Sequence, residues 1–294
     1  EREGMIDMIL SNGVNLPALG FGTFQIPPGK ECAKVVKEAI DAGYRMIDTA
    51  YSYQNEKSVG EGIRNTGVPR EEIFLTTKIY MMGADGYAFA KNAFPKVLER
   101  LGVDYIDMYM IHMPFADYYG AWRAMEEFYK QGRIRVLGVC NFSSADLVDF
   151  QRNVEIMPQV NQIERHPFYQ RWEELKLMQD MGVQPQAWAP FAEGMHGMFR
   201  QPVLQAIAQK HRKTVGQVIL RWELQTGCSA VVKSVHTERI QENYGIWDFA
   251  LDQDELEKIR NLDMGHPLML DTGNPVEVNR CYDFLEKPVV TSLS

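Results

Sequence analysis

The chain has 294 residues, 45% hydrophobic and 24% charged, with 31 basic against 39 acidic side chains and a net charge of −8. These values exclude disorder, a collagen-like repeat and a disulfide scaffold, and they argue against a nucleic-acid or anionic-membrane binder, which presents a basic stripe. No apolar run approaches the ~18 residues of a membrane span. The four cysteines (Cys32, Cys140, Cys228, Cys281) stand far apart with no Cys-x-x-Cys pair, as expected of a cytoplasmic protein that holds no metal.

Short β-rich runs alternate with longer helical patterns along the whole chain. An opening hairpin is expected over 8–17, then strand 19–22 with helix 31–42, and strand 45–48 with helix 55–64. Strand 73–79 precedes a helix ending at 101, and strand 105–112 precedes helix 121–130. Strand 134–139 leads to helix 144–150, for which Ser143 or Ser144 is the natural N-cap. Strand 158–163 leads to helix 172–181, strand 183–189 to a loop and helix 203–211, and strand 230–233 to helix 237–244.

Eight strand–helix units in one series predict an α/β protein with a single closed (β/α)8 TIM barrel, which needs ~250 residues. The competing reading is an open doubly wound sheet, a fold usually shorter or interrupted by a second domain. The barrel is expected over residues 5–294, with 1–4 read as an added remnant ahead of Met5. Helical stretches 215–224 and 252–261 exceed the eightfold count and read as decorations; the second opens on an Asp252-x-x-Glu255 capping box. The basic run Lys210-His211-Arg212-Lys213 reads as the solvated end of a helix, and 269–282 as a turn-rich flap over the barrel mouth.

Active sites of such barrels lie at the carboxyl ends of the strands. Those ends carry Asp48, Lys78, His112, Asn141, Gln162, Trp188 and Lys233 in turn. One polar strand end is usually a cap; seven in succession point to a ligand site. Asp48, Tyr53, Lys78 and His112 together suit protonation of an oxygen that gains negative charge. An ammonium stabilises a phenolate and lowers a tyrosine pKa, an imidazole directs the proton, and Asp48 holds the ammonium in place. Carbonyl reduction produces such an oxygen. Lys78 alone is also compatible with Schiff-base lyase chemistry.

The runs Leu19-Gly20-Phe21-Gly22-Thr23, Asp41-Ala42-Gly43-Tyr44-Arg45-Met46-Ile47-Asp48-Thr49-Ala50 with Tyr53, and Thr77-Lys78 leading to Ile111-His112 continue into Gly138-Val139-Cys140-Asn141-Phe142. Asn161-Gln162-Ile163-Glu164 with His166-Pro167, and Lys233-Ser234-Val235 with Arg239, Glu242 and Asn243, complete the series. In these motifs the chain resembles the aldo-keto reductases, and within them the bacterial 2,5-diketogluconate reductase and prostaglandin F synthase-like branch. The resemblance implies reduction of a small carbonyl substrate by NADPH, with Tyr53 as general acid, Lys78 and Asp48 supporting it, and His112 orienting the carbonyl.

It further implies cofactor contacts from Gly22, Thr23, Asp48 and Cys140, with Asn141 and Gln162 on the carboxamide and Trp188 stacked on the nicotinamide. Lys233, Ser234, Val235 and Arg239 would surround the 2′-phosphate, and Glu242 and Asn243 the adenine. Phe24, Tyr80, Met113 and Phe115 are candidates for the substrate wall, although Met113 and Phe115 equally suit packing. Cys140 stands in place of the usual serine and Trp188 in place of tyrosine. Ala189 replaces a frequent serine, His236 a threonine, and Tyr80 a tryptophan. A monomer is expected, with a weak dimer the alternative, and a regulatory, cofactor-binding role is the non-catalytic alternative.

Overall fold

The structure, a computed structural model, describes residues 6–80 and 83–284. The expected boundary at residue 5, the remnant 1–4 and the last ten residues of the expected domain lie outside the described residues. β1 (Asp7–Ile9) and β2 (Asn15–Pro17) form an antiparallel hairpin. The eight strands that follow are all parallel: β3 (Leu19–Gly22), β4 (Met46–Asp48), β5 (Phe74–Ile79), β6 (Ile106–Ile111), β7 (Ile134–Cys140), β8 (Val160–Glu164), β9 (Gln184–Trp188) and β10 (Ser229–Val232). They pair in sequence order, and β10 closes onto β3, giving the expected barrel.

Helices α1 (Lys30–Ala42), α2 (Glu56–Arg64), α3 (Gly86–Leu101), α4 (Tyr118–Lys130), α5 (Ser144–Asn153) and α6 (Trp172–Asp180) follow β3 to β8 in turn. α7 (Pro202–His211) and α8 (Val215–Gln225) separate β9 from β10, and α9 (Thr237–Tyr244), α10 (Gln253–Arg260) and α11 (Pro275–Asp283) come after it.

Local chemistry sets these boundaries. Ser143 caps α5 and Asp252 caps α10, each in a reciprocal box with Asp146 and Glu255 respectively. Gly43 ends α1 at φ 119°, a conformation that costs a side chain dearly. Gly60 lets α2 approach α3, because a Cβ there would stand 2.0 Å from the Leu101 carbonyl oxygen. β5 and β6 are buried along their whole length, as strands covered on both faces must be. The hairpin plugs the amino-terminal end of the barrel: Leu16 is fully buried, and the Asn12 amide donates to the Arg135 carbonyl at 3.0 Å.

Three expectations change. The stretch 215–224 was to be a decoration, yet α8 sends Leu220 and Leu224 into the barrel core, while α7 packs Leu204, Ile207 and Ala208 into a separate outer cluster with Ile259 of α10. The flap is not turn-rich throughout; it ends in α11, capped by Asn274 with Pro275 at the first helical position. The basic run is paired rather than merely solvated. Lys210 meets Asp252 and Glu255, His211 meets Glu255, and Lys213 meets Asp248, so opposite charges hold the segment around α10 against α7.

Candidate active site

Parallel register brings the strand ends to one rim. Asp48 pairs with Thr76 across β4 and β5, Lys78 with Met110 across β5 and β6, and Cys140 with Gln162 across β7 and β8. Lys78 is fully buried, and its ammonium donates to Asp48 Oδ1 at 2.6 Å, the Thr49 carbonyl at 3.0 Å and the Tyr53 hydroxyl oxygen at 3.5 Å. Three donors meet three acceptors, so the charge is fixed in direction. Burial disfavours the ammonium, but Asp48 and the neighbouring Tyr53 outweigh it and raise its pKa. A Schiff-base role needs a neutral, accessible amine. Lys78 is buried and its ammonium is held by Asp48, which argues against the lyase alternative.

Tyr53 sits half-buried in a 3-10 turn (Tyr51–Tyr53), with its ring 5.7 Å from the His112 ring, edge to face. The expectation that Lys78 lowers its pKa is met only in part. Burial acts more strongly than the ammonium, and the phenol is pushed up to about 12. His112 follows β6 and is held well below its ordinary value, first by burial and then by the Lys78 charge, so the imidazole is neutral. Its Nδ1 lies 3.3 Å from the Ser52 hydroxyl.

The other expected residues gather at the same end. The Gln162 amide donates to Asp48 Oδ2 at 2.9 Å and to Gln186 Oε1 at 2.8 Å. Asn141 accepts from the Trp188 indole at 2.9 Å and donates to the His112 carbonyl at 3.1 Å. Gly22 is tightly enclosed, since a Cβ there would meet Val231 at 2.9 Å. The Thr23 hydroxyl is fully buried and donates to the Asp48 carbonyl. Cys140 is also buried, with its thiol 3.8 Å from the Met110 sulfur, so it lies beneath the tetrad rather than on an open surface.

Around Tyr53 stand Phe24, 5.1 Å away ring to ring, and Tyr80, whose ring edge meets His112 at 5.3 Å. Met113 and Tyr80 pack with Cys281 of α11, and Phe115 stacks on Tyr282. Tyr80, Met113 and Phe115 thus pack against α11, while Phe24 stands against Tyr53.

A second cluster follows β10. Lys233 is half-buried; burial lowers its pKa, and the charge of Glu193 partly offsets that. Ser234 accepts from the His236 backbone N–H at 3.1 Å, Val235 packs on the barrel core, and Arg239 lies exposed on the opening turns of α9. Glu242 is exposed and accepts from Thr214, while Asn243 is buried. A desolvated lysine, a hydroxyl, an exposed guanidinium and a helix amino terminus make a donor set suited to a phosphate dianion.

Residues 18–264 match the family described as "Aldo/keto reductase family". The chain belongs to that family and is an oxidoreductase of it. It is 45% identical over 251 residues to the glyoxal reductase of Bacillus subtilis (strain 168), covering 85% of this chain and 90% of that one. It is 39% identical over 262 residues to the methylglyoxal reductase DkgA of Escherichia coli (strain K12), covering 88% and 94%. Among solved structures, a Bombyx mori aldo-keto reductase in complex with NADP superimposes with a TM-score of 0.84 at 32% identity, covering 92% of this chain and 96% of that one. The two bacterial reductases agree with the bacterial branch expected from the motifs. Among the described residues no helix is long and apolar enough to cross a membrane.

Three contributors escaped the sequence reading. Ser52 faces His112, Thr49 supplies a carbonyl to Lys78, and Gln186 links Gln162 to Ser229. Only Ser52, next to Tyr53 in sequence, carried a readable signal.

Proposed function

We propose that the chain reduces an aldehyde or ketone to the alcohol with NADPH, and that Tyr53 delivers the proton. The observation that carries this reading is the saturated Lys78 ammonium: one of its three acceptors is the Tyr53 oxygen, which leaves the phenolic hydrogen to point towards the recess. NADPH, when bound, supplies hydride to the carbonyl carbon. The remaining work falls to side chains.

Tyr53 stays protonated across the neutral range because its pKa is pushed up to about 12, and an alkoxide is a far stronger base than a phenolate, so transfer runs downhill. Lys78 meets the phenolate charge as it develops. His112 is neutral, and the tautomer that this role requires carries its proton on Nε2, facing the carbonyl oxygen, with Nδ1 accepting from the Ser52 hydroxyl 3.3 Å away. Phe24, Tyr80 and Met113 exclude water around that centre. Asn141, Gln162 and Trp188 would hold the nicotinamide, Gly22, Thr23, Asp48 and Cys140 its surroundings, Glu242 and Asn243 the adenine, and Lys233, Ser234, Val235 and Arg239 the 2′-phosphate end.

The relatives' names make small 2-oxoaldehydes the first substrates to try. A carbonyl panel with NADPH and with NADH, followed by nicotinamide absorbance, tests the reaction class; oxidation of neither cofactor with any carbonyl overturns it. In the same assay Arg239→Ala should weaken NADPH by about 10–100-fold, the worth of one charge-assisted hydrogen bond to phosphate, and leave NADH nearly unchanged. Equal losses would remove the 2′-phosphate contact.

A further inference from the structure

We infer that Glu164 is a positioning residue that latches the C-terminal lid over the recess and thereby sets which carbonyl substrates bind. The inference rests on the carbonyl-reduction reading above. Glu164 ends β8, two residues after Gln162 and on the same face of the strand, so one strand edge serves both the tetrad and the latch. Its carboxylate is buried, at 2% exposure, and among the described residues no lysine or arginine pairs with it; Arg171 reaches only the Glu164 backbone carbonyl, at 3.5 Å. Three successive backbone N–H groups meet it instead. Leu268 donates at 2.7 Å to Oε1, Met269 at 3.1 and 3.2 Å to both oxygens, and Leu270 at 3.1 Å to Oε2. The His166 Nε2 adds a fourth donor at 2.9 Å; a carboxylate only accepts, so that nitrogen carries the proton.

Successive amides converging on an anion form a nest, and this one is the point where the crossing segment meets the barrel rim. From there the chain runs straight into the recess. Leu270 packs with Tyr80, Met113 and Cys281, and after four residues α11 begins. The far end is tied by the Tyr80 hydroxyl, which donates to the Cys281 carbonyl at 2.6 Å, while the Tyr80 ring edge rests on His112. Polar contacts thus tie the lid on β8 and beside the imidazole, with the Phe115–Tyr282 stack adding an apolar contact near the second. Releasing the first frees Leu270 and α11 without touching the tetrad. A substrate too small to reach the lid should notice little; one large enough to pack against Leu270 and Phe115 should lose binding.

The test uses the full chain with NADPH and two probes, methylglyoxal and 4-nitrobenzaldehyde. Glu164→Gln turns an NH2 towards the nest or leaves one oxygen for three amides. Hydrogen exchange over 266–284 should rise about tenfold while barrel amides stay protected. KM for 4-nitrobenzaldehyde should rise about tenfold and that for methylglyoxal less than about threefold, with kcat and NADPH affinity little changed. Glu164→Asp keeps the charge and should restore most of both properties; it also stands in should the glutamine variant not fold. Unchanged exchange over 266–284, or both KM values rising in proportion, overturns the latch. If the unaltered protein consumes neither carbonyl, the carbonyl reading fails and the exchange result alone decides the latch.

Discussion

Among the described residues, two lysine or arginine ion pairs look alike by burial and differ in use. Lys78–Asp48 lies at the mouth, and Arg165–Glu223 ties the loop after β8 to α8; all four side chains are almost wholly removed from solvent. Burial raises Glu223 to about 7 against the pull of Arg165. Arg165 spends its remaining contacts inside the protein, on the Gln170 carbonyl, the Thr226 hydroxyl and the face of Trp222 at 4.1 Å. Lys78 spends one of its own on Tyr53, a residue that is only half-buried. A buried, perturbed charge is therefore no sign of chemistry by itself. The sign is a third group that carries its influence to accessible space.

Substitutions can break this distinction. Tyr53→Phe removes the hydroxyl that accepts from Lys78, and kcat should fall about 10²–10⁴-fold with NADPH affinity and melting temperature nearly unchanged. Steady-state kinetics beside a nicotinamide titration checks it, and turnover within about tenfold of the parent would take the proton-donor role from Tyr53. Arg165→Ala should do the reverse. Leaving Glu223 buried without its partner costs about 3–5 kcal/mol in urea unfolding, while kcat per folded molecule holds. A selective loss of kcat would mean that the second pair also reaches the site.

The smallest effect expected is that of pH. His112 gains its proton only well below 6.5, and Tyr53 loses its own only near 12, so kcat/KM should stay level between pH 6 and 9. An ionisation inside that window would contradict both environments. The same shift bears on stability. Because the folded value of His112 lies below the unfolded one, the unfolded chain takes up the proton first, and stability should decline as pH drops below about 6.5.

The sequence made the rim legible because polar residues there interrupt strands that are otherwise apolar, and a strand end cannot hide a lysine or an aspartate without purpose. Asp48, Lys78 and His112 were therefore readable, and Tyr53 with them. The exchange of roles between α7 and α8 was not. Both read as amphipathic helices, and only packing decides that Leu220 faces the barrel while Leu204 faces the outer cluster. Gln186 was hidden because a glutamine inside a strand looks like a solvent-facing residue until Gln162 and Ser229 are found against it. α11 carried a readable Asn274-Pro275 start that the neighbouring turn residues masked. Lys78 does pull the Tyr53 pKa down, but the net direction was not legible, because an ammonium in the motif is visible in sequence and the burial around a phenol is not.

Fixing the Lys78 ammonium by three acceptors also has a dynamic consequence. In water, a charge born on oxygen waits for solvent dipoles to turn, and that turning is part of the barrier. Here the Lys78 ammonium already stands 3.5 Å from the Tyr53 oxygen while that oxygen is neutral, so under the proposed proton transfer neither Asp48 nor the Thr49 carbonyl would need to move. The cost of orienting the environment was met once, when the chain folded, and is not met again at each turnover.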